Sequence, residues 1–322
     1  MGLAVAALAF CEQIWQVFAI FIILGVGRSC LSPTAISTTL APWFERHQGR
    51  AVSLALLGAS VGGMIGTPLL LGGMAVFSSQ TVFLLAGASA VIVLLPVVLF
   101  VLKTRPQDIG LLPDGEVHVE GAPAKAIALW SKRGAMATLQ FRTQTAAFAL
   151  ALLVQSGFLA HHVPMVAPSM GAYGASMAVS LAAVAAFIGR ILLARFADRV
   201  DLRLTSGGVF VVAGFSLGAM SWTDTPTGLL ITSICYGLTV GNITSLSPII
   251  ARREFGAAAF GAVYGVAASA IAVASALGPA LYGILRDAVG NYSPALLIAA
   301  LLNFVAALII VWGGRRPMPA PV

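Results

Sequence analysis

Gly189-Arg190-Ile191-Leu192-Leu193-Ala194-Arg195-Phe196-Ala197-Asp198-Arg199-Val200-Asp201-Leu202-Arg203 carries the chain from one apolar run into the next. The first run extends from about Met170 to Ala194, and the second begins at about Thr205. The charged stretch between them is too short for a domain. It reads as a tight basic hairpin, with acids inside it, set between two membrane-crossing helices. Arg190 lies inside the first run, ahead of the hairpin. A charge within a membrane helix is costly and must face a cavity or a partner.

The composition identifies the solvent. Of 322 residues, 59% are hydrophobic and 9% charged, where a soluble domain carries about 25% charged residues. Lipid is the medium that such a surface tolerates. The net charge of +7 does not mark a nucleic-acid binder. The basic residues sit in short connections between apolar runs rather than on one face, so no nucleic-acid partner is expected. Cys11, Cys30 and Cys235 lie in or beside apolar runs, without CxxC or metal-ligand spacing. They read as packing residues, and neither a metal nor a cofactor is expected. Met1-Gly2-Leu3-Ala4-Val5 lacks a basic leader, so no cleaved signal is expected.

A helix needs about 20 apolar residues to span lipid with every amide paired internally. About ten runs appear on that ruler. They fall near 1–11, 15–40, 51–77 and 81–102, then, after a polar interval over 103–140, near 141–163, 170–194, 205–222, 227–250, 258–285 and 293–313. The first is too short to span. Lys and Arg separate the connections into two sets. One set holds Arg46 and Arg50, the central interval with Lys103, Arg105, Lys125, Lys132, Arg133 and Arg142, the hairpin with Arg195, Arg199 and Arg203, then Arg252, Arg253, Arg315 and Arg316. The alternate set holds Arg286. The rich set is expected in the cytoplasm, with the central interval and the C-terminus. Prolines and glycines from Arg105-Pro106 to Gly115 block a continuous helix, so the interval reads as a solvated linker.

The chain also repeats itself. Leu31-Ser32-Pro33 closes the second run and Leu246-Ser247-Pro248 the eighth. Pro68-x-x-x-Gly72 ends the third run and Pro279-x-x-x-Gly283 the ninth, in the same order and at nearly the same separation. Spans six apart therefore match in the same orientation, a parallel repeat of six-helix halves. The expected fold is all-α and membrane-integral, in two bundles of about ten helices in all. It divides into an incomplete N-terminal bundle over 1–102, a cytoplasmic linker over 103–140, a complete six-helix bundle over 141–314 and a cytoplasmic tail over 315–322.

At the hairpin the chain resembles the major facilitator superfamily. Ala194-x-x-x-Asp198-Arg199-x-x-x-Arg203 matches the family's charged inter-helix motif, with Ala194 where the family has glycine. Ala41-Pro42-Trp43-Phe44-Glu45-Arg46-His47-Gln48-Gly49-Arg50-Ala51, followed by Gly58, Gly62, Gly66 and Pro68, is similar to its fourth-to-fifth connection and fifth helix. Arg105-Pro106 through Gly115 is similar to the segment after its sixth helix, most of all in the monocarboxylate and oxalate-transporter-like branch. The resemblance implies alternating access and places the first two helices and part of the third outside this chain. It makes Asp198, Arg199, Arg203 and Ala194 a conformational latch. Gly58, Gly62, Gly66, Pro68, Gly278 and Pro279 are expected to pack helices closely.

Arg28 and Arg190 are the basic residues inside runs. An arginine stays charged and offers a two-pronged donor, which suits a carboxylate. By the resemblance, Arg190 also falls where the monocarboxylate branch carries its substrate-binding arginine, with Arg28 as a possible counterpart across a cavity. The acids all lie in connections or at run edges. Ala186 stands where the proton-coupled branch has an acid, and the ninth run lacks the lysine of the dicarboxylate branch. Gln144, Gln155, Asn242 and Tyr264, with Thr244 and Ser245, are candidates to line a polar cavity or to bond helix to helix. His161-His162 read as an interfacial pair, and Trp15, Trp130 and Trp312 as interfacial anchors.

The expectation is a secondary transporter of small organic anions, of monocarboxylates above all. It is expected to work as a monomer in the lipid bilayer of a bacterial inner membrane. A transport-inactive or receptor-like member and a ten-helix drug/metabolite transporter are the alternatives. A membrane-embedded enzyme would need clustered acids or a metal set near the interface, and the sequence offers neither.

Overall fold

The computed structural model of the chain describes residues 1–44, 47–103, 105–115, 130–196 and 199–314. Asp198, the positions 116–129 and the tail 315–322 lie outside them, as does the side chain of Pro68. The N-terminal part holds helices α1 (Gly2–Ala7), α2 (Ile14–Ser29), α3 (Pro33–Leu40), α4 (Gln48–Val61), α5 (Thr67–Val76) and α6 (Ser79–Pro96). A short α7 (Lys132–Ala137) precedes the C-terminal bundle. That bundle consists of α8 (Leu139–Gly171), α9 (Tyr173–Phe196), α10 (Leu202–Met220), α11 (Pro226–Gly256), α12 (Ala259–Val289) and α13 (Ser293–Gly314). These six and the segment Ser79–Val101 are long and apolar enough to cross a membrane. The all-helical, membrane-spanning, two-bundle fold expected from the sequence is borne out.

The helix ends depart from the apolar runs for local reasons. The run at 15–40 is two helices, not one. The Ser32 hydroxyl accepts from the Ala35 amide at 3.2 Å and Pro33 occupies the first turn, so a new helix starts there. The run at 51–77 passes from α4 to α5 through a π turn at Gly62–Gly66. Conversely, α8 continues past the expected end near residue 163 to Gly171, whose φ of 69° breaks the helix at a cost that only glycine avoids. An apolar run measures the membrane, whereas a helix continues for as long as its amides find carbonyls. The linker is held at its described ends, on either side of 116–129. The Asp114 amide donates to the Trp43 carbonyl at 2.8 Å, and Trp130 packs edge-on to Phe255 at 5.6 Å.

In the C-terminal bundle, α8 and α9 pack most extensively on α11 and α12, and α10 on α13. Leu204, Phe215, Leu301 and Leu308 point outward as the lipid-facing surface. At the α8–α12 crossing a Cβ on Gly278 would run into the Leu153 carbonyl and the Ser156 hydroxyl. Pro279, which has no amide hydrogen, frees the Ser275 carbonyl, and Ser156 Oγ donates to it at 2.5 Å.

The basic ends of four helices meet on one side chain. Asp201 caps α10 by accepting from the Arg203 and Leu204 amides at 2.8 and 2.9 Å. Arg203, 7% exposed, then places all five of its N–H donors. Nε and one terminal nitrogen donate to the two Glu254 oxygens at 2.5 and 2.9 Å. The others reach Thr143 Oγ1 at 3.2 Å, the Ile310 carbonyl at 3.1 Å and the Gln140 carbonyl at 2.8 Å. The partner of Arg203 is thus Glu254 at the end of α11, not an acid of its own hairpin. Breaking a buried ion pair by removing one partner costs about 3–5 kcal/mol. Arg203→Ala is therefore expected to lower the thermal midpoint of the detergent-solubilised protein by several degrees, read by intrinsic fluorescence. An unchanged midpoint would contradict the four-helix tie.

Candidate functional site

The closest approach of α9 to α11 is made by small residues on one face of each helix. A Cβ on Gly237 would lie 2.5 Å from the Ala182 carbonyl oxygen and 2.8 Å from its Cα. One turn on, a Cβ on Gly241 would lie 2.7 Å from the Ala186 carbonyl oxygen and 2.5 Å from Cγ of Arg190. On the other side, Gly189 admits the Leu238 carbonyl. Backbones that meet this closely leave a shallow channel along α11, and the stem of Arg190 lies in it.

Arg190 is 6% exposed. One terminal nitrogen donates to Thr244 Oγ1 at 2.9 Å, and the other donates to the main-chain carbonyl of Leu56 on α4. Its Nε is buried without a partner. Among the described residues no carboxylate touches it. The contrast with Arg203 is chemical. Arg203 is matched donor by donor and neutralised by Glu254, whereas Arg190 retains its charge and spare donors against a carbonyl and a hydroxyl. A buried guanidinium in that condition attracts an anion.

The seam at Arg190 joins the two parts of the chain. The N-terminal part meets the C-terminal bundle through α3, α4 and the π turn. Val52 and Leu56 of α4 are buried with Leu193, Ile243, Leu246 and Ile250 in one apolar cluster. A second arginine crosses the same seam nearer the basic end. Arg252, 5% exposed, donates to the carbonyls of Ala41 and Phe44 at the end of α3. Across the seam both arginines donate to main-chain carbonyls, and acceptors of that kind are invisible in the sequence.

The remaining sequence candidates are dispersed. Arg28 is exposed in the last turn of α2 and does not share the partners of Arg190. Gln144 and Gln155 occupy the buried face of α8, and Gln144 donates to the Ser247 carbonyl, beside Pro248, at 2.7 Å. Asn242 borders a lateral groove between α9, α10 and α11, on the opposite side of Gly189 from Arg190. Tyr264 stacks on Phe260 at 5.3 Å in the cluster that also holds Ala41. Ala194 is buried and Arg199 exposed. A Cβ built on Gly58, Gly62 or Gly66 meets nothing within 4 Å. The close approach expected there is absent among the described residues, because a glycine stripe permits a helix to close without supplying one. Trp15 and Trp312 are exposed, whereas Trp130 packs on the C-terminal bundle.

His161 and His162 point to different places. His161 bonds Tyr292 Oη and the Pro279 carbonyl, each at 3.0 Å, and His162 bonds Ser233 Oγ at 2.9 Å. Among the described residues no group of three or more His, Cys, Asp or Glu could hold a metal. Sequence reasoning missed Gly237, Gly241 and Arg252. For the glycines the signal was available, since Gly237-x-x-x-Gly241 has the spacing of a close helix contact.

The profile of the Major Facilitator Superfamily matches residues 1–279 and 164–322. Human monocarboxylate transporter 11 is 26% identical over 326 residues, which cover 93% of this chain and 63% of that protein. Bovine monocarboxylate transporter 13 is 23% identical over 288 residues, covering 87% and 63%. The chain thus spans 63% of the length of the curated relatives it matches. Among solved structures, a variant of the E. coli fucose:proton symporter superposes with a TM-score of 0.68 at 17% identity, covering 97% of this chain and 82% of that one. The same transporter in an outward conformation superposes with a TM-score of 0.68, covering 98% and 81%.

The grip of Arg252 on α3 yields a measurable outcome. Ser37 of α3 is fully buried at this seam. In a background with Cys11, Cys30 and Cys235 replaced by Ala, Ser37→Cys should react slowly with a polar maleimide, and adding Arg252→Gln should raise that rate about tenfold or more, as expected for loss of a hydrogen-bonded charge. Equal rates would show that the arginine does not hold the seam shut.

Proposed function

This chain belongs to the Major Facilitator Superfamily, and from that premise we propose that it carries small organic anions, monocarboxylates above all, across a membrane by alternating access. The observation that carries this reading is the buried Arg190, with no carboxylate partner among the described residues, set at the seam between the two parts of the chain. A carboxylate supplies the missing negative charge and accepts from the spare donors. It does so at the contact that must change when one part rocks against the other, so binding and rocking are linked. The similarity to monocarboxylate transporters 11 and 13 supports the same substrate class.

Proton coupling is not part of the proposal. Ala186, one turn before Arg190, offers no titratable group, and its carbonyl is packed against Gly241. The charge bias of the connections supports a cytoplasmic location for the basic end. In that orientation the end gripped by Arg252 and tied by Arg203 is the cytoplasmic one, and substrate meets Arg190 from the other side. Residence in a bacterial inner membrane as a monomer completes the proposal.

The test is uptake by proteoliposomes against a panel of acetate, lactate, pyruvate and succinate, with glycerol as the neutral control. Arg190→Ala should abolish uptake of the monocarboxylates while leaving membrane insertion and the thermal midpoint near those of the wild type, and Arg190→Lys should retain a small fraction. Undiminished uptake by Arg190→Ala would refute the site. A fluorescent protein fused after Val322 should fold and fluoresce, and an alkaline phosphatase in its place should stay inactive. The reverse pattern would invert the orientation.

A further inference from the structure

We infer that Gly241 and Thr244 are positioning residues for Arg190, forming a one-turn cradle on α11 that aims its guanidinium at the seam. The inference rests on Arg190 as the anion ligand, but the cradle itself can be tested without that reading.

Gly241 provides room. A Cβ there would stand 2.5 Å from Cγ and 2.7 Å from Nε of Arg190. Both distances are far inside van der Waals contact, so any larger residue lifts the whole stem out of the channel. Thr244 provides direction. It lies three residues on, on the same face of α11. Its hydroxyl donates to the Gly241 carbonyl at 2.9 Å, which commits its hydrogen to the helix backbone. A lone pair is thereby left to accept from the terminal nitrogen of Arg190 at 2.9 Å. The same hydroxyl that is fixed by the helix thus fixes the guanidinium. With the stem confined by Gly241 and one terminal nitrogen held by Thr244, the other reaches the Leu56 carbonyl across the seam. An arginine has many rotamers, and holding it in one lowers the entropy lost when an anion binds.

A packing role alone would make the same glycine necessary, and Gly237 separates the two roles. It sits one turn earlier on the same helix face, and a Cβ there would collide with Ala182 as closely as one on Gly241 would with Ala186. The three atoms nearest a Cβ there all belong to Ala182, and none to an arginine. Gly237→Ala therefore reproduces the helix–helix clash of Gly241→Ala without the displaced stem.

Two readouts on the full chain in proteoliposomes decide the matter. In monocarboxylate uptake, Gly241→Ala should raise KM about tenfold, with the maximal rate changed much less, as should Thr244→Val. The magnitude is that of a misplaced charge-assisted hydrogen bond. Thr244→Ser should restore the wild-type KM, and Gly237→Ala should lower the thermal midpoint without moving KM. The second readout is the rate at which phenylglyoxal modifies Arg190, followed by mass spectrometry of the peptide. Gly241→Ala and Thr244→Val should accelerate it, and Gly237→Ala should not. If the wild type transports none of the acids, the anion reading fails, and the modification rates alone decide the cradle. If Gly237→Ala and Gly241→Ala change both readouts alike, or if Thr244→Val matches the wild type in both, the cradle is refuted.

Discussion

A guanidinium buried in a membrane protein needs partners for its donors and, beyond them, something to answer its charge. Two arginines of this chain meet that requirement differently. Arg203 has five acceptors for five donors and a carboxylate among them. Such a group is expensive to move, and it fastens the basic ends of α8, α10, α11 and α13 into one unit. Arg190 has a hydroxyl and a carbonyl, an unpartnered Nε and, among the described residues, no carboxylate. The first arrangement is closed chemistry. The second is open to a ligand, and the proposed function follows from that difference more than from any pocket.

The packing around Arg190 serves the same end. Small residues at 182, 186, 189 and 237 bring two backbones together, and Gly241 leaves room between them for the stem of Arg190. The arginine reaches across the seam to a main-chain carbonyl of α4, and Arg252 does the same to the end of α3. A main-chain carbonyl carries no net charge, so parting Arg190 from Leu56 strands no carboxylate. A bundle fastened internally by Arg203 and joined to its neighbour by reversible ties is suited to rocking as a body.

Much of this was legible in the sequence. Charge at Arg195–Arg203 between apolar runs gave the hairpin, and apolar length gave all six helices of the C-terminal bundle. Burial of Arg190 followed from its depth. Other features lay beyond a linear reading. Arg203 and Glu254 are 51 residues apart and Arg190 and Leu56 are 134 apart, and no local pattern joins either pair. The break at Ser32-Pro33 was written in capping chemistry but hidden by the apolar run around it. Spacing alone does not say whether a partner helix is present, and Gly58, Gly62 and Gly66 meet none among the described residues; depth in a run is likewise not depth in a bundle, and Arg28 is exposed.

The most direct test of the central claim is calorimetric titration of lactate into the purified wild-type protein and into Arg190→Lys, with glycerol as the neutral control. The account predicts saturable binding to the wild type, binding weakened about tenfold or more by a lysine that cannot offer the two-pronged donor, and none of glycerol. Equal affinity in the two proteins would contradict the assignment of Arg190 as the residue that holds the anion.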